Sequence, residues 1–169
     1  MQYDIRQLTE SDLCSYRALR LQALTECPTA FGATPASERA LGDAQILSRF
    51  GSTLGQAMWG GFDADGRLCA TLGMYREQGE KTAHKGNLFA MYVAAAARGQ
   101  GLARRLLETA VEHGRALNLR QLMLGCNVGN GNALRLYEQA GFSEYGLEPA
   151  ALYVDGEYFD EVLMVMKLD

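Results

Sequence analysis

Two apolar runs, Leu88-Phe89-Ala90-Met91-Tyr92-Val93 and the stretch Gln121 to Val128, bracket a segment with helical periodicity. The first run is apolar throughout, which suits a strand covered on both faces rather than one lying at a surface. Between them, from Gly101 to Leu117, the residues Leu102, Leu106 and Ala110 recur at helical spacing, with Ala103, Leu107 and Val111 alongside. Strand, helix, strand in that order is a βαβ unit, parallel and right-handed. No other feature constrains the chain as much. The unit demands a sheet with a parallel pair near its middle.

The flanking segments read as hairpins and short helices. A strand from Gln2 to Gln7 precedes Thr9-Glu10-Ser11-Asp12, where Thr9 can cap a helix and Asp12 sits favourably near its first amides. That helix carries Tyr16, Leu19 and Ala23 on one face and breaks at Cys27-Pro28-Thr29-Ala30-Phe31-Gly32. A weaker helical pattern covers Ser37 to Phe50. Strands from Ala57 to Phe62 and from Arg67 to Tyr75 flank the turn Asp63-Ala64-Asp65-Gly66. A further helix, from about Asn132 to Ala140, ends at Gly141 in an expected left-handed cap. A last hairpin joins Ala151 to Val154 with Tyr158 to Leu168 around Asp155-Gly156. The chain, residues 1–169, thus reads as one α/β domain: a mixed, mostly antiparallel sheet with a central parallel pair, flanked by about four helices.

Composition removes several functions. The formal net charge is −4, which argues against broad nucleic-acid binding because that requires a basic face. No run of about 18 apolar residues is present, so no membrane span is expected. The start, Met1-Gln2-Tyr3-Asp4-Ile5-Arg6, lacks the basic flank and apolar stretch of a signal peptide, and a cytoplasmic location is expected. Cys14, Cys27, Cys69 and Cys126 are scattered, which suits reduced thiols. Without closely spaced ligand pairs, and with His84 and His113 as the two histidines, no metal site is expected. Glycine is abundant, 19 residues, and points to sharp turns or to backbone approached closely by a ligand.

Two of those glycines lie between the first buried strand and the helix, in Val93-Ala94-Ala95-Ala96-Ala97-Arg98-Gly99-Gln100-Gly101-Leu102-Ala103. Such a turn lets backbone amides converge, and the helix N-terminus adds partial positive charge, so the segment suits a phosphate or pyrophosphate. The plain alternative is a tight connection without a ligand. A dinucleotide fingerprint would need a small residue where Arg104 stands and an acid some twenty residues further on. A P-loop would need Gly-Lys-Ser/Thr. Neither pattern is present.

The segment Arg98-Gly99-Gln100-Gly101-Leu102-Ala103 resembles the Arg/Gln-x-x-Gly-x-Gly/Ala signature of the GNAT family of N-acetyltransferases. The stretch Asn130-Gly131-Asn132-Ala133-Leu134-Arg135-Leu136-Tyr137-Glu138-Gln139-Ala140-Gly141-Phe142 resembles the same family's Asn-x-x-Ala-x-x-Leu-Tyr…Gly-Phe segment. Ala103 replaces a commoner glycine, a departure the pattern tolerates. The opening helix with Ala30-Phe31-Gly32 is similar to a bacterial subgroup of mostly unassigned substrate. The resemblance implies a GNAT fold with its parallel strands splayed apart. It implies an acetyl-CoA-dependent enzyme acetylating a primary amine of a small molecule or peptide. The amides of Arg98, Gly99, Gln100, Gly101, Leu102 and Ala103 would hold the pyrophosphate, within a stretch, residues 98–120, that sets five arginines (Arg104 among them) against two glutamates. The pantetheine arm would pair with the backbone of Met91, Tyr92 and Val93. Asn130 would lie near the cofactor and Tyr137 near its sulfur. A homodimer through the tail strands is implied as well.

Acyl transfer to an amine needs a neutral nucleophile, a donor to the carbonyl oxygen and a proton for the departing thiolate. A strand amide near Tyr92 and Val93 can serve the oxygen. Tyr137, with a free pKa of about 10 against about 8.5 for a thiol, would share its proton rather than surrender it early; the other reading of Tyr137 is a core aromatic. No carboxylate occurs in the run from Leu88 to Val93, although an alkyl amine is only about 0.04% neutral at pH 7. A water chain or His84, just before that strand, is the candidate base. His113 reads as a surface residue, and Cys126 as inert packing rather than a nucleophile. Residues 143–169 set seven acids against Lys167, which describes either a face for a cationic acceptor or a solvated surface. Tyr153, Tyr158 and Phe159 either line an acceptor pocket or fill the core. Two alternatives stand beside the acetyltransferase: an acyl-CoA-binding sensor without turnover, and a transferase of a larger acyl group.

Overall fold

In the computed structural model, which describes residues 3–51 and 55–168, the βαβ unit forms the centre of a seven-stranded sheet. The expected strand residue Gln2 and the tail acid Asp169 lie outside the described residues. The elements follow the order β1 (Asp4–Gln7), α1 (Leu13–Glu26), α2 (Pro35–Arg39), α3 (Asp43–Leu47), β2 (Gln56–Phe62), β3 (Leu68–Arg76) and β4 (Lys85–Val93). They continue with α4 (Leu102–Ala116), β5 (Gln121–Asn127), α5 (Gly131–Ala140), β6 (Ser143–Val154) and β7 (Glu157–Lys167). The sheet order is β1-β2-β3-β4-β5-β7-β6; β4 and β5 are parallel and every other neighbouring pair is antiparallel.

Strand alternation divides the core between two faces. Ala57 and Trp59 of β2 point to the side where Leu102, Leu106, Leu107 and Ala110 of α4 are buried, together with Tyr137 of α5. Met58 and Phe62 point to the opposite side, where Tyr16 of α1 is buried with Ile46 and Phe50. Leu19 and Ala23 of α1 cover Tyr92 of β4 on that same side. The buried leucines of α4 are 0–1% exposed, and each contributes about 1.5–3 kcal/mol from removal of its side chain from water. Strand glycines make room for these layers: a β-carbon on Gly61 would meet Leu102, and one on Gly73 would meet the Phe89 ring.

The structure departs from the sequence expectation in three places. The helical pattern from Ser37 to Phe50 divides into α2, α3 and a 3-10 turn, giving five α-helices rather than four. Local capping explains the division: Thr34 and Ser37 exchange reciprocal bonds at the start of α2, and the Gln45 side chain accepts from the Gly42 amide at 2.8 Å at the start of α3. Thr9 stands at the N-cap of a short 3-10 turn, Glu10–Asp12, before α1 begins at Leu13, and its amide and hydroxyl both donate to the Asp12 carboxylate. β6 extends back to Ser143 rather than starting at Ala151. Register shifts between Glu144 and Gly146 and between Glu148 and Leu152 absorb Pro149 and the positive φ of Ala150, and they erase the alternation that would reveal a strand. No helix among the described residues is long and apolar enough to cross a membrane.

Candidate active site

β4 and β5 pair at only three positions, Lys85 with Gln121, Gly86 with Leu122 and Asn87 with Met123. Beyond them each strand runs on without pairing to the other. A bulge in β4 accompanies the divergence: Thr71 faces Tyr92 and Gly73 faces Phe89, so Leu72 of β3 stands opposite both Ala90 and Met91. Ala90 takes φ +55°, and its carbonyl accepts from the Thr71 hydroxyl at 3.0 Å. Bulges bend a strand and re-aim its side chains. The result is a cleft of about 290 Å³ walled by Leu88, Met91, Leu124, Cys126, Asn130 and Tyr137, with Arg20, Phe31 and Glu161 also lining it.

The turn between β4 and α4 is shaped by Gly99 and Gly101, both at φ +75°. A β-carbon on either would meet nothing within 4 Å, so glycine serves the backbone there and the space above stays open. Gly101 is the N-cap of α4. Leu102 is buried in the core, so it offers only its backbone to this turn. The Arg98 Nε donates to the Val93 carbonyl at 2.9 Å, and its guanidinium lies 3.6 Å from Glu26, which ties the turn to β4 and α1. Gln100 is exposed and donates to the Ala96 carbonyl. Ala103 is half-buried, and Arg104 is exposed and pairs with Glu108 at 3.0 Å. An open amide turn and an unpaired strand edge are the features that a pyrophosphate and an extended amide-bearing arm require.

Met91 and Val93 are half-buried and pack towards α4, whereas Tyr92 points to the α1 side. Its hydroxyl donates to Glu26, and burial together with that carboxylate pushes the phenol up to about 12. Asn130 caps α5, accepting from the Ala133 amide at 3.2 Å. Tyr137 is 7% exposed, with its ring edge-on to Phe142. Among the described residues its hydroxyl has no hydrogen-bond partner, and burial holds the phenol protonated well above its ordinary range. Asn127, which sequence reasoning passed over, closes the end of β5: its amide donates to the Thr29 carbonyl at 3.1 Å and accepts from Gly129 at 2.7 Å.

Other expected residues lie elsewhere. His84 is exposed in the turn before β4, at the end where β4 and β5 are still paired; its carbonyl accepts from the Arg120 amide, and it does not line the cleft. His113 is half-buried rather than fully at the surface: α4 sets its ring edge-on to Trp59 at 5.2 Å between ring centres, and burial lowers its pKa. Tyr153 and Tyr158 neither fill the core nor line the cleft; their rings meet at a tilt, 4.8 Å between centres, on the exposed tip of the tail hairpin. Phe159 is half-buried and also outside the cleft. Burial, and then Glu161, push the Cys126 thiol up to about 11, which keeps it protonated at neutral pH.

A carboxylate reaches the cleft from β7. Glu161 pairs in register with Asn127 and reaches the cleft; burial, and repulsion from Glu148, raise its pKa above the ordinary value. In sequence it is one of seven tail acids, and only the β5–β7 register distinguishes it.

Residues 21–142 match the acetyltransferase (GNAT) family. YwnH of Bacillus subtilis strain 168, named for phosphinothricin acetylation, is 29% identical over 110 residues, covering 65% of this chain and 68% of that protein. Among solved structures, an acetyltransferase of the GNAT family from Streptococcus pneumoniae superposes with TM-score 0.87 at 22% identity, covering 99% of this chain and 100% of that one. A GNAT superfamily phosphinothricin acetyltransferase from Sinorhizobium meliloti, in complex with acetyl-CoA, superposes with TM-score 0.82 at 20% identity, covering 99% and 89%. The family match runs from the second half of α1 to just past α5, most of the chain, and the chain belongs to the GNAT family of acetyltransferases.

Proposed function

We propose that this protein moves the acetyl group of acetyl-CoA directly to an amine, with both substrates in the cleft together. The observation that carries the reading is the unpartnered Tyr137 hydroxyl in the gap where β4 and β5 diverge. Acetyl-CoA supplies an acyl group activated as a thioester. The amides of residues 98–103 hold its pyrophosphate, with Arg104 adding positive charge nearby, and the free edge of Met91, Tyr92 and Val93 holds the extended arm. Asn130 orients the start of α5 beside it. A strand amide near Tyr92 and Val93 donates to the carbonyl oxygen as negative charge develops there. Tyr137 donates a hydrogen bond to the departing sulfur; burial raises its pKa and makes it a weaker acid, so it shares its proton with the thiolate rather than surrendering it.

Glu161, rather than His84, takes the proton from the amine, directly or through one water. Its position in the cleft supports this role, and so does the upward direction of its pKa, which burial and Glu148 cause and which makes it a stronger base than an ordinary carboxylate. An ammonium group near pKa 10.4 carries a handicap of roughly 4.6 kcal/mol at pH 7, which a positioned base offsets in part.

Thiol release from acetyl-CoA, followed across a panel of primary amines, tests the reading. Amine-dependent release that falls in Tyr137→Phe is the expected result. Acetyl-CoA binding without release for any amine would instead favour a sensor, and faster release from longer acyl donors would favour a larger acyl group.

A further inference from the structure

Arg20 is a buried cation that has only a share of one carboxylate. Its side chain is 11% exposed and lines the cleft. The neighbouring acid is Glu38, 3% exposed, but the Nε to Oε2 separation of 3.7 Å is too long for a hydrogen bond. Arg49 occupies that carboxylate instead, at 2.7 Å and 3.4 Å. The Nε of Arg20 is buried without a hydrogen-bond partner, and no described residue accepts a hydrogen bond from its two terminal nitrogens. The Phe31 ring covers the guanidinium, its centre 4.8 Å from the central carbon. Two arginines therefore share one carboxylate. A guanidinium does not shed its proton, and an unpaired buried charge is costly. The charge missing from this cluster is negative, and the open side of Arg20 is the cleft.

The location says which substrate would bring that charge. Arg20 stands on α1, which covers the sheet face opposite to α4 and α5. The turn at residues 98–103 and Tyr137 approach the gap from the α4 and α5 side. An anion at Arg20 is thus separate from the phosphates of the donor and belongs to the acceptor. With Phe31 over the guanidinium, the donors that remain lie in its plane, the geometry a carboxylate accepts bidentately. We propose that Arg20 binds a carboxylate of the acceptor, so that the preferred substrates are amines bearing a carboxylate, of amino-acid type. This rests on the acetyl-transfer reading of the cleft. Glu161 reaches the same cleft from β7 and complements the ammonium end of such a zwitterion. A polyamine would bring only positive charge towards Arg20.

Matched pairs test the proposal: amino acids against their carboxamides and against the decarboxylated amines, with the wild type, Arg20→Gln and Arg20→Lys. In the wild type kcat/KM should favour the carboxylate member by about tenfold to a hundredfold, the range of a charge-assisted pair. Arg20→Gln should bring that ratio close to one, mainly through KM, and Arg20→Lys should restore part of it. Equal use of both members by the wild type, or equal loss of both in Arg20→Gln, would overturn the proposal and leave Arg20 as a support for Glu38. Calorimetric binding of the same pairs to the CoA-loaded protein keeps the two readings apart. Carboxylate-selective binding lost in Arg20→Gln, even with no acetyl moved, would support Arg20 while overturning the transferase reading. Failure of every carboxylate-bearing amine to bind would overturn the Arg20 proposal.

Discussion

The Glu161 carboxylate lies over Gly125: a β-carbon on that glycine would stand 2.6 Å from Glu161 Oε2. The two residues occupy neighbouring antiparallel strands, and the long glutamate side chain leans from β7 over β5 into the space that glycine leaves. Because the obstructing atom is the end of a flexible side chain, Gly125→Ala should displace the carboxylate and spare the backbone. We expect kcat/KM to fall by about tenfold or more, with Tm changed by less than about 4 °C. Unaltered kinetics beside an unaltered Tm would remove Glu161 from the reaction.

The pH profile offers a separate check. Glu161 is raised above 4.5, so it holds its proton to higher pH than an ordinary carboxylate and becomes a base only above its shifted pKa. Activity should therefore rise with pH along an acid limb displaced upward from 4.5. In Glu161→Gln that limb should disappear and the residual rate should follow the ionisation of the amine alone. Steady-state kcat/KM between pH 5 and pH 9, about the range where a raised carboxylate and the amine separate, measures it.

Tyr137→Phe removes a hydroxyl without a partner and keeps the buried ring against Phe142. Stability should change little. Turnover should drop by about tenfold to a hundredfold, while the KM for acetyl-CoA stays within about twofold of wild type. A large rise in that KM with unchanged kcat would make Tyr137 a binding residue only.

Gly101→Ala places a side chain at φ +75°, a strain of about 1–2 kcal/mol for an L-residue, but into empty space. The protein should fold with a modestly lower Tm. Affinity for CoA should fall by more than the strain alone predicts, because the added methyl group occupies the approach to the amides. Calorimetry against CoA and against a dephosphorylated pantetheine fragment separates the effects; the fragment should lose much less.

Far from the cleft, Arg6 grips Asp12 with two bonds of 2.8 Å, and Asp12 also accepts from the Thr9 amide. The Arg6 bond, with Thr9 assisting, holds the carboxyl down at about 2 against 3.8. A depressed carboxylate stabilises the fold above its unfolded pKa and loses that contribution as pH falls through the folded value. Stability should accordingly decline between pH 3.8 and about 2. Asp12→Asn should cost about 1–2 kcal/mol at neutral pH and flatten that decline, as read by urea unfolding at stepped pH.

Much of the fold is legible in the sequence. The Asp155-Gly156 turn, the left-handed end of α5 at Gly141, and the turn built on Gly99 and Gly101 all appear where their residues call for positive φ. The weak periodic pattern from Ser37 to Phe50 predicts one helix because apolar spacing alone does not show the second cap, at Gly42. His84 drew notice as an ionisable group just before a strand, yet neighbours in sequence can stand at the paired end of that strand, well away from where it opens.

Local pattern by itself determined the βαβ unit, its amide turn and the family, because strand alternation, helical period and glycine φ are properties of adjacent residues. Only the tertiary structure decided where the sheet opens. That depends on a bulge opposite Leu72 and on pairing that ends at Asn87 and Met123. It likewise selected Glu161 from the acids of the tail, through the register of β7 on β5. And it left Arg20 without a full partner by giving the Glu38 carboxylate to Arg49. Charge balance and the neighbours of a cleft are sums over residues distant in the chain, and no local pattern carries them.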